Sequence, residues 1–118
     1  MPSARRLLGD AGEDAVAAWY EAAGFVIVAR NWRVREGELD LVAAADDVLV
    51  FCEVKTRRSD RFGHPAEAVT AAKQARIRRV AARFLAETDR STNRLRFDVA
   101  AVRPGRSGWA VEVIADAF

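Results

Sequence analysis

The sequence predicts an α/β fold: a central mixed β-sheet flanked by helices, with elements in the order αβββαββ. Three observations predict it. Two long stretches, about 4–23 and 66–87, repeat apolar residues at helical spacing. Five shorter stretches are apolar runs or apolar–polar alternations bounded by Gly, Asp, Asn or Pro. Strands and helices are interspersed along the chain, so helices are expected to pack against one sheet.

The elements follow in order. Ala4 to Ala23 reads as a helix whose core stripe is Leu8, Ala11, Ala15, Ala18, Trp19 and Ala22, with Gly24 ending it. Phe25 to Arg35 alternates and reads as a strand bent near Asn31-Trp32. Gly37 marks a turn. Leu39 to Ala44 and Val48 to Thr56 form a hairpin about Asp46-Asp47. Arg57 to His64 is polar and contains Gly63, so it reads as a loop, and Pro65 suits the first turn of a helix. That helix is expected over Ala66 to Glu87, with Val69, Ala72, Ile77, Val80, Ala81 and Phe84 as its apolar face. Thr88 to Asn93 is a loop. Leu95 to Val102 and Trp109 to Ile114 are strands joined by a turn over Arg103 to Gly108.

At 118 residues the chain is expected to form one domain over 1–118. Its 51% hydrophobic and 31% charged content is that of a globular protein. No apolar run approaches the roughly 18–20 residues that span a bilayer. Met1-Pro2-Ser3-Ala4-Arg5-Arg6 has no apolar signal core. The single Cys52 has no internal disulfide partner and is expected to be a buried apolar residue. A cytoplasmic protein, with no membrane partner, is the expectation.

Charge is distributed unevenly. Residues 1–56 hold 6 basic and 10 acidic residues, whereas 57–106 hold 13 basic and 5 acidic. Within the acidic part, Asp40, Glu53 and Lys55 stand among apolar neighbours in two consecutive strands. Strand periodicity puts Glu53 and Lys55 on one face, behind Phe51, with Cys52 on the other. Burying such charges is costly without a purpose. Two carboxylates suit a hard cation, Mg²⁺ or Mn²⁺, and an ammonium beside them can orient or deprotonate water or stabilise a phosphate. Of the 19 basic residues 17 are Arg, and only Lys55 and Lys73 are Lys. Lysine at position 55 therefore looks selected for a compact ammonium able to lose its proton, which arginine is not. The competing reading is a strand-end salt bridge, or for Asp40 a carboxylate capping a backbone amide.

These residues carry a resemblance. The order αβββαββ, with Asp opening a hairpin and Glu-x-Lys in the next strand, resembles the PD-(D/E)xK nuclease superfamily. More closely, the chain resembles the uncharacterised bacterial YraN-type family, which is similar to archaeal Holliday junction resolvases. The resemblance runs from about Leu8 to Val113. It rests on Gly12-Glu13, Asn31-Trp32-Arg33, Gly37-Glu38-Leu39-Asp40-Leu41, Val50-Phe51-Cys52-Glu53-Val54-Lys55-Thr56-Arg57, Gly63-His64-Pro65, Ala68-Val69, Lys73-Gln74-Ala75-Arg76-Ile77 and Arg96-Phe97-Asp98-Val99. Leu39 stands where the name's proline would be.

The resemblance implies a restriction-endonuclease-like fold and metal-dependent hydrolysis of DNA phosphodiesters, with branched or junction DNA as one substrate. The alternative is a catalytically weak or inactive nucleic-acid-binding module of a repair assembly. It further implies that Asp40, Glu53 and the Val54 carbonyl bind the metal and that Lys55 is the catalytic ammonium. Glu13 resembles the helix-borne acid of resolvase-like nucleases; the phase count sets it off the core stripe, one turn after Gly9. Glu38 ranks below Asp40, assigned to the other strand face unless a bulge intervenes. Arg57, Arg58 and Arg61, in the loop after the catalytic strand, together with Lys73, Gln74, Arg76 and Arg83 on the second helix, are the expected nucleic-acid contacts. His64, the sole histidine, is assigned a surface or helix-start role, and Trp19, Trp32 and Trp109 are assigned to the core. No small-molecule cofactor is expected. A homodimer would suit a two-stranded substrate, with apolar residues of 109–114 on an edge strand as its candidate surface.

Overall fold

The computed structural model describes residues 3–57, 69–90, 92 and 94–118, the side chains of 4–7 excepted. The elements are α1 (Ala4–Ala22), β1 (Val26–Val34), β2 (Gly37–Ala45), β3 (Val48–Thr56), α2 (Ala71–Glu87), β4 (Arg94–Gly105) and β5 (Gly108–Ile114). The strands lie in the order β1-β2-β3-β4-β5. Among the described residues only β3 and β4 run parallel, joined by the crossover through α2; the other neighbours are antiparallel. This is a restriction-endonuclease-like arrangement, an α/β fold in the order αβββαββ.

Each helix covers one face of the sheet. On the α2 side Leu39, Val42, Leu49, Phe51 and Val99 pack against Val69, Ile77, Val80, Ala81 and Phe84. On the α1 side Leu41, Ala43, Val50, Cys52, Ala100 and Val102 pack against Val16, Ala17 and Tyr20. Cys52 is buried there, and burial pushes its thiol pKa up. The central strands are apolar on both faces because both faces are covered.

α1 differs in phase from the expected stripe. Gly12, Val16, Ala17 and Tyr20 are buried, whereas Ala18 and Ala22 are exposed and Trp19 is 39% exposed. A helix this rich in alanine offers several near-equivalent apolar faces, and tertiary packing chooses among them. A Cβ on Gly12 would stand 2.5 Å from Thr56 Oγ1 and 2.9 Å from Val102 Cγ1. Only glycine lets the helix approach the sheet so closely at that point. The helix ends in a Schellman motif: Phe25 N–H donates to Tyr20 O, Gly24 N–H donates to Glu21 O, and Gly24 has φ +96°. The accompanying apolar contact is the edge-on packing of Tyr20 on Phe25.

α2 begins at Ala71 rather than Ala66. Thr70 is its N-cap, with extended φ/ψ and a hydroxyl that accepts from Lys73 N–H at 3.2 Å. Val69 is buried but precedes the helix, and Ala72 is exposed. Pro65, Ala66 and most of the expected loop lie outside the described residues. The turn expected over 103–108 narrows to 106–107, because Arg103 and Pro104 pair with Ala110 and Trp109. On the edge strand β5, Trp109, Val111 and Val113 pack toward the α1-side core, leaving Ala110 and Glu112 exposed. Trp109, Val111, Val113 and Ile114 on this strand are half-buried. Among the described residues no helix is long and apolar enough to cross a membrane.

Two irregularities shape one end of the sheet. Regular pairing of β2 with β3 stops at Leu41↔Cys52. On the other side of β2, the pairs Trp32↔Leu39 and Arg30↔Leu41 bracket Asn31 and Asp40. Asn31 has φ +51°, a left-handed conformation that asparagine tolerates better than most residues. Leu39 packs on the α2 side and Leu41 on the α1 side, although two residues apart should share a face. The pleat therefore breaks at Asp40, next to the left-handed Asn31, while the register shift between β1 and β2 lies further along, between Ile27 and Ala29.

Candidate active site

Where β2 and β3 part, Val54 N–H loses its ladder partner. The Asp40 carboxylate takes that place, accepting from Val54 N–H at 2.9 Å through Oδ2. The amide-capping reading of Asp40 thus holds for one oxygen. A strand residue directs its N–H and C=O to the same edge, so the Val54 carbonyl also faces the parted end. Burial, and then the charge of Glu53, push the Asp40 pKa up to about 7. One cap cannot offset that desolvation.

β3 supplies Glu53 and Lys55 on the α2-side face, as its period requires. Lys55 Nζ lies 3.6 Å from Glu53 Oε1. Lys73, reaching in from the first turn of α2, lies closer to the same oxygen, at 3.1 Å. Both lysines of this arginine-rich chain therefore converge on one carboxylate. Burial, and then the neighbouring Lys73, lower the Lys55 pKa. Burial opposes ionisation of Lys73 too, but hydrogen bonding with Lys55 and the attraction of Glu53 outweigh it and raise its pKa. Of the two, Lys55 is the one poised to lose a proton.

Asp40 stands between two clefts. The smaller, about 160 Å³, is lined by Gly37, Glu38, Asp40, Glu53, Lys73 and Arg76 among others. The larger, about 670 Å³, is lined by Gly9, Asp10, Glu13, Asn31, Arg33, Glu38 and Asp40. Glu38, expected on the opposite face, stands beside Asp40 instead, and the two line both clefts together, as positions two apart on a strand can. It pairs with Arg33 at 3.3 Å. A Cβ on Gly9 would meet nothing within 4 Å, so that position borders open cleft.

Correcting the phase of α1 moves Glu13 from the helix flank to the buried side, adjacent to Gly12. Its side chain is 15% exposed. Burial raises its pKa, against a hydrogen bond with Asn31 and the charge of Arg30. Among the described residues its Oε1 is buried with no hydrogen-bond partner; Arg30, at 3.9 Å, is too far for one and pairs with Asp14 at 2.7 Å instead.

The remaining expected contacts separate. Arg57 N–H donates to Val102 O, so its backbone extends the β3–β4 pairing, and its side chain is half-buried. Arg58, Arg61 and His64 lie outside the described residues. The Gln74 side chain donates to Val69 O at 3.1 Å and so braces the segment entering α2. Arg83 pairs with Glu36 and with Glu87. Arg76 is exposed and lines the smaller cleft. Sequence reasoning missed Lys73 as a member of the carboxylate cluster, although its being one of two lysines was the available signal. It also missed Asn31 in the larger cleft and the buried Asp98, described below.

The donor set bears on which ion the site suits. Among the described residues no three His, Cys, Asp or Glu side chains gather closely enough to hold a metal, which is unlike a closed zinc site. Mg²⁺ and Mn²⁺ need less from the protein: one or two carboxylates, with water and phosphate completing an octahedron. Asp40, Glu53 and the Val54 carbonyl offer hard oxygens of that kind, and the Asp40 charge is poorly compensated. The residues present fit such an ion.

The family model of uncharacterised protein family UPF0102 matches residues 12–102. A UPF0102 protein of Beutenbergia cavernae is 53% identical over 107 residues, covering 91% of each chain. One from Frankia casuarinae is 53% identical over 116 residues, covering 98% of each. One from Symbiobacterium thermophilum is 52% identical over 103 residues, covering 87% of each. The chain belongs to the UPF0102 family. This is the YraN-type family that the motifs resemble, and the span matched by the UPF0102 model contains Glu13, Asp40, Glu53, Lys55 and Lys73.

Proposed function

We propose that this protein is a metal-dependent endonuclease that hydrolyses DNA phosphodiester bonds. The observation that carries this reading is the meeting of Asp40, Glu53 and Lys55 at the parted end of β2 and β3, where burial works against the charges of Asp40 and Lys55 and two lysines crowd the Glu53 carboxylate. A salt bridge made for stability has no need of a second lysine on the same oxygen or of a poorly compensated aspartate beside it.

In this reading Asp40, Glu53 and the Val54 carbonyl hold Mg²⁺ or Mn²⁺, with Glu13 facing the same aspartate from the larger cleft. Such an ion, when bound, stabilises charge on the phosphate and acidifies a coordinated water. Lys55 orients the attacking water and accepts its proton, a role matched by its lowered pKa. Lys73 and Arg76 make the smaller cleft the side suited to phosphate. The basic balance of residues 57–106 adds long-range attraction for a polyanion. Branched or junction DNA is the favoured substrate shape by family likeness.

The test is cleavage of linear duplex, single strand, flap and four-way junction in Mg²⁺, Mn²⁺ and EDTA, comparing wild type with Asp40→Asn. Asparagine keeps an oxygen for Val54 N–H, so this variant removes charge with less damage to the fold than alanine. Metal-dependent cleavage that disappears in Asp40→Asn is the expected result. Binding that survives EDTA and the substitution, without cleavage of any substrate, would instead identify a nucleic-acid-binding module.

A further inference from the structure

Lys73 holds Glu53 more closely than Lys55 does, 3.1 Å against 3.6 Å, yet it is the more exposed of the two, at 31% against 22%. Its backbone is fixed: Lys73 N–H donates to the Thr70 cap of α2. Its ammonium sits on a flexible stem in the smaller cleft, beside Arg76 and facing Asp40. One carboxylate oxygen cannot keep an ammonium at contact distance and also bind a divalent cation without strong like-charge repulsion. Lys55 springs from the strand that carries Glu53, whereas Lys73 reaches Glu53 from α2 and is the more solvent-exposed of the two. An arginine here would grip the carboxylate through two parallel hydrogen bonds, while an ammonium is a single point charge that lets go more readily. A chain with 17 Arg and 2 Lys places lysine at this position.

We propose that Lys73 is the resident counter-cation of Glu53, displaced when a divalent ion binds and thereby freed to meet a substrate phosphate in the smaller cleft. This rests on the metal-dependent reading above. It makes Lys73 a positioning residue with two successive partners. Before metal binds, it neutralises Glu53 and keeps the carboxylate pair from repelling; afterwards its charge serves the nucleic acid. Rotation of the side chain is enough, with no movement of α2.

The experiment measures Mn²⁺ affinity of the whole chain by calorimetry for wild type, Lys73→Met, Lys73→Arg, Arg76→Met and Asp40→Asn. Loss of the competing ion pair is expected to tighten Mn²⁺ binding roughly fivefold in Lys73→Met, and the firmer grip of arginine to weaken it in Lys73→Arg. Arg76→Met removes a positive charge from the same cleft without touching the Glu53 pair, and its change is expected to stay within about twofold. Binding of labelled duplex DNA is then compared in Ca²⁺ and in EDTA. Lys73→Met is expected to lose several-fold affinity in Ca²⁺ and little in EDTA, where Lys73 is still held by Glu53.

If Lys73→Met gains no more Mn²⁺ affinity than Arg76→Met, or loses DNA affinity equally in Ca²⁺ and EDTA, Lys73 is an ordinary cleft cation and the proposal fails. In that event the metal-dependent reading stands, provided wild type binds Mn²⁺ and Asp40→Asn does not. Absence of Mn²⁺ binding in both wild type and Lys73→Met overturns the two together.

Discussion

Replacing Asp40 by Asn is expected to make the protein more stable at neutral pH while removing its proposed activity. The Asp40 pKa stands at about 7 against an ordinary value of 3.8. At about 1.4 kcal/mol for each tenfold change in a protonation equilibrium, the difference has a ceiling of ~4 kcal/mol; partial solvent access lowers it to about 2–4 kcal/mol. Between pH 4 and 7 the folded protein binds more protons than the unfolded chain, because its carboxyl is the weaker acid. Stability contributed by this group is therefore fully present below about pH 4 and is lost as pH rises through about 7. The amide introduced by Asp40→Asn does not titrate and is free of that loss. Its side-chain oxygen can still accept from Val54 N–H, a bond of 2.9 Å in the wild type. Asp40→Ala abandons the backbone N–H, at a cost of about 1–3 kcal/mol. Urea unfolding in EDTA from pH 4 to 8 measures all three proteins. The Asn variant should match wild type near pH 4, exceed it by about 2–4 kcal/mol at pH 8, and exceed the Ala variant throughout. A pH-independent difference, or no gain at pH 8, would refute the claim that Asp40 is buried with too little compensation.

Gly12→Ala should destabilise by about 1–2 kcal/mol, since overpacking against Thr56 and Val102 exceeds the gain in helix propensity. Adding Thr56→Ala should recover part of it, so a double-mutant cycle in urea that shows simple additivity would contradict the contact. Asp98→Ala should cost about 3–5 kcal/mol, because it strands the Tyr20 hydroxyl, the Arg96 guanidinium and Asp116 N–H, all bonded to this fully buried carboxylate; a thermal melt close to wild type would count against that network. Arg76→Ala should weaken DNA binding and reduce the slope of log affinity against log salt by about 1. Arg83→Ala should leave that slope unchanged, its guanidinium being engaged by Glu36 and Glu87. Equal slopes for the two variants would show that these ion pairs do not hold Arg83 away from phosphate.

The hairpin and its charges were legible because strand period and a short turn are local. Asp46 and Asp47 form the turn, and Glu53 and Lys55 share a face with Phe51 as alternation demands. Gly24 was legible for the same reason, since a helix stop is written within six residues. What the sequence obscured depended on packing between distant segments. Alanines at 11, 15, 17, 18 and 22 made several faces of α1 look apolar, and the fit of Gly12 against Thr56 selects one of them. The start of α2 was misjudged because Ala66-Glu67-Ala68 suits a helix as well as Ala71-Ala72 does, although Thr70 carried the capping signal. The partners of Gln74 and Arg83, namely Val69 for the first and Glu36 and Glu87 for the second, lie where no local pattern points to all of them. Lys73 was assigned to an outer basic face for the same reason: nothing local connects it to Glu53.

The corrected phase of α1 and the observed position of Lys73 lead to one physical account of the site. A three-layer fold presents two helices to the same sheet end, and here they contribute charges of opposite sign: Asp10 and Glu13 from α1, Lys73 and Arg76 from α2. Regular pleating would send alternate residues of β2 to separate faces and leave each helix its own neighbours. The break at Asp40, matched by the left-handed Asn31 across the strand pair, lets one carboxylate border both clefts. The acidic cleft raises the cost of ionising Asp40, since Glu13 and Glu38 both push its pKa upward. The basic cleft relieves Glu53 through two ammonium groups but leaves Asp40 with a single amide cap. Charge is therefore balanced on one side of Asp40 and unbalanced on the other. A fold selected for stability alone would place asparagine at position 40, and retention of the carboxylate is intelligible if a cation is what completes the balance.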